Sequence, residues 1–154
     1  MNVILNRVGL LLLVGVGLMF VREHWAHFTG FILLFSVFDV YGYKKVGRFV
    51  NGDEEGIAEY RIIQLMFQVL FIYYLVLSDG WLTAACAVFA WWLLACDVLF
   101  YFALNEKLTP FTWFKASPVV FIHNVLLKEP APVGAVLVSA IVGFLAGLSL
   151  TILQ

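Results

Sequence analysis

"HFTGFILLFSVFDVYGYKKVGR", residues 27–48, is the stretch whose reading decides the fold. Its first half is an apolar run suited to lipid. It ends on two tyrosines and a basic cluster, as a helix does when it leaves hydrocarbon for a charged boundary. Asp39 stands inside the run. The chain repeats the pattern in "WWLLACDVLFYFAL", residues 91–104, where Asp97 occupies the same Asp-Val-x-x-Tyr frame. The echo is too short to establish an internal duplication, but it places a carboxylate twice where an ionised group is costly.

The composition agrees with this reading. Of 154 residues, 64% are hydrophobic and 12% charged, with a mean hydropathy of +1.00. Soluble domains run near half apolar and a quarter charged, so the chain reads as an all-α integral membrane protein forming one domain. There is room for four or five spans of about 20 residues and little else. The net charge of −1 and the lack of a long basic run exclude a nucleic-acid partner and leave the lipid bilayer as the expected one. Cys86 and Cys96 lie roughly 15 Å apart along one predicted helix. They cannot bridge, because disulfide geometry needs α-carbons within about 7 Å.

Five segments qualify as spans: 3–21, 27–43, 62–78, 81–104 and 133–153. A four-plus-one arrangement is the alternative. The first has Arg7 ahead of an apolar core, like a signal peptide, yet no small-x-small cleavage site follows, so it is expected to remain uncut. With the N-terminus inside, eight of the nine basic residues fall on the cytoplasmic side and only Arg22 outside. This asymmetry places the C-terminus outside, in a bacterial or archaeal cell membrane. Between spans two and three, an Asn-Gly turn precedes acidic residues suited to a helix N-terminus, so the third helix is expected to begin near Asp53. Between spans four and five, residues 118–128 are too short to span and too apolar for a solvated linker. They read as a short helix in the headgroup layer.

The polar residues inside these spans are the candidates for function. At about 100° per residue, Asp97 shares a face with Thr83, Cys86, Ala90, Leu93, Leu94 and Tyr101, opposite Trp81, Val88, Trp92, Leu99 and Phe102. Small residues admit close helix approach, so Asp97 is expected to face the bundle interior. Arg7 is expected to pair with one carboxylate. Gln64 and Gln68, at i and i+4, form a polar stripe on the third span. The expected site is thus a cytoplasm-proximal cluster of Arg7, Asp39, Gln64, Gln68, Asp97 and Tyr101. Against it stand blander roles: snorkelling for Arg7 and Asp39, and interhelical hydrogen bonding for the glutamines.

His24 and His27 stand at i and i+3 in "EHWAH", with Glu23 an incomplete zinc shell, and His123 falls on the other side of the membrane. They read as interfacial histidines, and no metal or cofactor is expected. Ser139, Gly143 and Gly147 form a small-residue face for helix packing, either within the bundle or between protomers of a homo-oligomer or larger complex. "VFDV", residues 37–40, is similar to the aspartate motif of presenilin-type proteases. Its Gly-x-Gly-Asp partner has no counterpart at Asp97, which follows Leu-Ala-Cys, so no family is assigned.

Three functions fit these residues. The first is a carrier or ion-coupled transporter binding a small substrate, cation or proton at Asp97 and Asp39. The second is a membrane enzyme acting on a lipid or isoprenoid with the same carboxylates as acid and base. The third is a non-catalytic subunit of a membrane complex. No nucleophile–base pair or full metal shell is visible, which favours the first.

Overall fold

Lipid offers no partner to an unpaired backbone amide, so long apolar runs in a membrane fold as helices. The computed structural model describes residues 3–49, 54–104, 107–108 and 117–154, with side chains over 7–40, 62–104, 107–108 and 117–154. Helices account for most of these residues, and no strand occurs among them. In chain order they are α1 (Val3–Leu18), α2 (His24–Phe49), α3 (Glu54–Asp79), α4 (Trp81–Trp92), α5 (Ala95–Leu104), α6 (Pro118–Phe121) and α7 (Val133–Ile152). Among the described residues, Ile62–Asp79 and Val133–Ile152 are each long and apolar enough to cross a membrane. The α4–α5 pair makes a third if counted as one bent span.

The bundle is assembled around α2, which packs against α1, α3, α4, α5 and α7. Phe28, Phe31, Ile32 and Phe35 of α2 are buried with Leu75 of α3, Ala84, Cys86, Ala87 and Ala90 of α4, and Cys96 of α5. The pattern is large into small: an aromatic ridge on α2 fills the groove that the alanines of α4 leave open. Further along, Val37 and Val40 meet Leu11, Phe100, Ala103 and Leu104. Phe38 stacks on Phe67 at 4.3 Å between centroids, which aligns α3 with α2. The outside is as apolar as the inside. Leu13 and Val16 of α1, Leu65, Met66 and Leu70 of α3, and Val138 and Ile141 of α7 are all exposed. Apolar surface this continuous exceeds what soluble monomers expose and fits contact with lipid.

The expected fourth span, 81–104, is not one helix. It breaks at Leu93–Leu94 into α4 and α5, bent by 60°. Leu94 has φ +73° and is fully buried, in a cluster with Val120, Ala131 and Val136. A left-handed leucine costs about 1–2 kcal/mol, and no glycine or proline announces it. Contacts from α7 hold the break. The Ser139 hydroxyl donates to the Leu93 carbonyl at 3.1 Å. A Cβ on Gly143 would lie 2.7 Å from the Leu93 Cβ, so only glycine lets α7 come this close. A Cβ on Gly147 would lie 2.6 Å from Phe28 Cζ. Of the two uses open to the Ser139–Gly143–Gly147 face, the structure uses it within the bundle: all three residues are buried against α4 and α2.

Residues 118–128 are helical through Leu127. α6 passes at Ile122 into a π-helical turn that closes at Lys128 with φ +57°. Val120 is buried, whereas Phe121, Ile122, Val125 and Leu126 are exposed, giving the segment one inward and one apolar outward face.

Candidate functional site

Asp97 sits in the first turn of α5, directly after the break, and is 6% exposed. The break gives α5 its own N-terminus inside the bundle. The unpaired amides of that turn carry a partial positive charge that stabilises a carboxylate there by about 0.3–1 kcal/mol, up to ~2 when partly buried. α5 packs against α2 along Cys96, whose thiol approaches the Ile32 carbonyl at 3.8 Å. The Ser36 hydroxyl donates to the same carbonyl at 2.7 Å. One turn further along α2 stands Asp39, half-buried, which accepts from Gln64 Nε2 of α3 at 2.7 Å. Asp97 directly follows Cys96 on α5, and Asp39 is one turn beyond Ser36 on α2, so the two carboxylates are carried by neighbouring helices that pack at Cys96.

Of the other expected members, Tyr101 lies one turn after Asp97 and is half-buried, its ring edge-on to Phe100 at 5.6 Å. Gln68 is half-buried one turn from Gln64. Arg7 differs from expectation. Among the described residues it makes no ion pair with either aspartate. Its guanidinium donates to the Phe102 carbonyl at 3.0 Å and lies 4.8 Å over that ring. Phe102 is on the exposed side of α5.

A second cluster was missed in the sequence. His24 and His27 at the start of α2 both direct Nδ1 at Asp79, the last residue of α3. His24 approaches Oδ1 at 3.1 Å, and His27 approaches Oδ1 at 2.9 and Oδ2 at 2.8 Å. Ser78 donates to Oδ2 at 2.8 Å. Gln154, beyond α7, donates to the Asp79 backbone carbonyl at 2.9 Å and accepts from Thr83 of α4 at 3.1 Å. Four helices are thus tied at one end of the bundle around a carboxylate that is 4% exposed. In "SDG" this aspartate looks like a turn residue. The only hint was that two histidines one helical turn apart need a common partner. Among the described residues, no group of three or more His, Cys, Asp or Glu is arranged to hold a metal ion.

The chain matches no known protein family, curated protein or solved structure.

Proposed function

We propose that this chain is a five-span membrane carrier or ion-coupled transporter, N-terminus cytoplasmic and C-terminus outside. It binds a cation, proton or small cationic substrate between Asp39 and Asp97, open to the cytoplasm. One observation carries the reading: a buried aspartate in the first turn of a half-helix that follows a break in an apolar span. Broken spans expose backbone groups at membrane depth and are tolerated where those groups line a site. Discontinuous helices are accordingly a recurrent way to build ion sites. Gln64 and the adjoining Gln68 add neutral polar groups beside Asp39, which suits transient coordination better than a permanent ion pair does. The small-residue face of α7 is occupied internally, so an oligomer would have to form through α1 or the broadly exposed α3.

The test is Asp97→Asn in vesicles of defined lipid, measuring proton, sodium and potassium flux alongside thermal stability with and without each cation. The wild type is expected to show flux, or stabilisation that grows with one cation as its binding requires. The variant should lose that response while staying within about 2 kcal/mol of wild-type stability, since asparagine keeps the side chain's size and an acceptor oxygen and gives up only the charge beside the helix N-terminus. A variant that loses 3–5 kcal/mol, the cost of breaking a buried ion pair, from a wild type indifferent to all three ions would reduce Asp97 to a structural charge.

A further inference from the structure

A helix lying in the headgroup layer normally turns its polar groups to water. Residues 117–127 turn theirs into the protein. Ser117, Val120 and Asn124 stand at i, i+3 and i+7 on one face, with His123 beside them. Ser117 and Val120 are fully buried and His123 and Asn124 half-buried, whereas Phe121, Ile122, Val125 and Leu126 are exposed. Three atoms of this inner face are buried with no hydrogen-bond partner: Ser117 Oγ, His123 Nδ1 and Asn124 Nδ2. Ser117 is the N-cap of α6, yet its hydroxyl makes no cap bond. Native structures leave few buried polar atoms unpaired, and each one calls for an explanation. Here three fall in one short segment, at a π-helical turn of the kind that recurs at functional sites.

Water is the occupant that suits all three atoms. A hydroxyl rotates, an imidazole exchanges tautomers and a carboxamide can turn over, so each can donate or accept. Water does both and satisfies them in every combination of these states, and a buried water typically makes about three such bonds. The face carries no carboxylate, lysine or arginine that would hold an ion instead. Its place in the fold gives the water a use. Val120 is buried in one cluster with Leu94, and Val98 and Tyr101 of α5 pack against that cluster. Val98 and Tyr101 follow Asp97 by one and four residues, within about 100° of it around the helix. α5 thus meets α2 through Cys96 on one side of Asp97, and on the other it meets the cluster that holds Val120. We infer that the inner face of residues 117–124 lines a water-filled pocket beside Asp97, the aqueous approach to that carboxylate. What the pocket serves rests on the carrier reading; its hydration does not.

Single cysteines test it, in the full chain with Cys86 and Cys96 replaced by alanine. The protein is placed in phosphatidylcholine vesicles permeabilised with alamethicin, so that orientation plays no part. A charged methanethiosulfonate reacts with thiolate, and a thiol in hydrocarbon hardly ionises. Asn124→Cys should react at least ~10 times faster than Leu126→Cys on the exposed outer face, since each unit of thiol pKa is tenfold in thiolate. In sealed vesicles where the wild type shows cation flux, modifying Asn124→Cys should block it and modifying Leu126→Cys should not. Asn124→Leu, in the otherwise unchanged chain, is an independent measure. In a dry pocket it exchanges an unpaired amide for an apolar group of similar size and should raise the folding constant about tenfold. In a hydrated pocket it should bring no gain. Equal rates at the two cysteines, or a stabilised Asn124→Leu protein, would overturn the pocket. Fast labelling that leaves flux untouched would overturn its role as the approach to Asp97. An Asp97→Asn protein that keeps its cation response would sink the carrier reading and leave the labelling result standing, so the two failures are distinguishable. Should Asn124→Cys fail to fold, Asn124→Leu still decides.

Discussion

Replacing Asp79 by asparagine removes one negative charge and keeps the shape, which makes the His24–His27–Asp79 network open to measurement. The carboxylate accepts from His27 at 2.8 Å, from His24 at 3.1 Å and from Ser78 at 2.8 Å. His27 is buried, so its charge-assisted bond contributes about 1.5–3 kcal/mol. The His24 side chain is 37% exposed and Ser78 is exposed, so water replaces much of what they lose, leaving under ~1 kcal/mol for the two together. Asparagine retains one acceptor oxygen but turns an amide donor toward a ring nitrogen. The expected loss is therefore about 2–4 kcal/mol. His27→Gln alone should cost less, since glutamine still reaches the carboxylate. The double variant should cost less than the sum, with a coupling of about 1–2 kcal/mol, because residues sharing one hydrogen bond are not additive. Reversible unfolding in mixed micelles, followed by circular dichroism, gives all four corners of the cycle. An Asp79→Asn protein within 0.5 kcal/mol of wild type, or a coupling of zero, would refute the claim that this carboxylate ties the helices together.

Gly143→Ala and Gly147→Ala should each destabilise by about 1–3 kcal/mol through overpacking against Leu93 and Phe28. Gly134→Ala, where a Cβ meets nothing within 4 Å, should stay within about 0.5 kcal/mol in the same unfolding assay. Ser139→Ala should cost about 1 kcal/mol and raise hydrogen exchange at Leu93–Cys96, because the hydroxyl closes the break. In a background with Cys86 and Cys96 replaced by alanine, Glu23→Cys should react with an impermeant thiol reagent added outside and Lys107→Cys should not. Reversed labelling would invert the orientation and move the Asp39–Asp97 site to the outer face.

What the sequence discloses about this fold is what local pattern controls. The helix from Glu54 starts within an acidic run because negative side chains suit a helix N-terminus. Asp97 is buried, as are Thr83, Cys86 and Ala90, although the 60° break puts Asp97 on a separate helix from those three. The features that escape are set by partners far along the chain. Nothing in "WWLLACD" breaks a helix; Ser139 and Gly143 hold the break from α7, over forty residues away. The His24–His27 pair looks like an incomplete metal shell because its carboxylate is 52 residues beyond His27, at the end of α3. Arg7 was expected to seek a carboxylate, and it instead finds a backbone oxygen on Phe102. In each case helical periodicity gives the direction of a side chain but not the identity of what stands opposite.

The aspartates Asp39, Asp79 and Asp97 separate by how their burial is offset. Asp79 lies at a helix end and is surrounded by side-chain donors from two helices, with its backbone carbonyl held by Gln154. Its burial is explained by the bundle it joins. Asp39 is half-buried and bonded to a neutral amide, which stabilises a carboxylate without fixing its charge. Asp97 is buried inside an apolar segment, in the first turn of a helix that exists only because the span breaks. That break itself carries the cost of a left-handed leucine. A continuous helix with leucine at 97 would avoid both costs. Strain and buried charge placed side by side, each making the other tolerable, are what a bundle selected for packing alone would lose first.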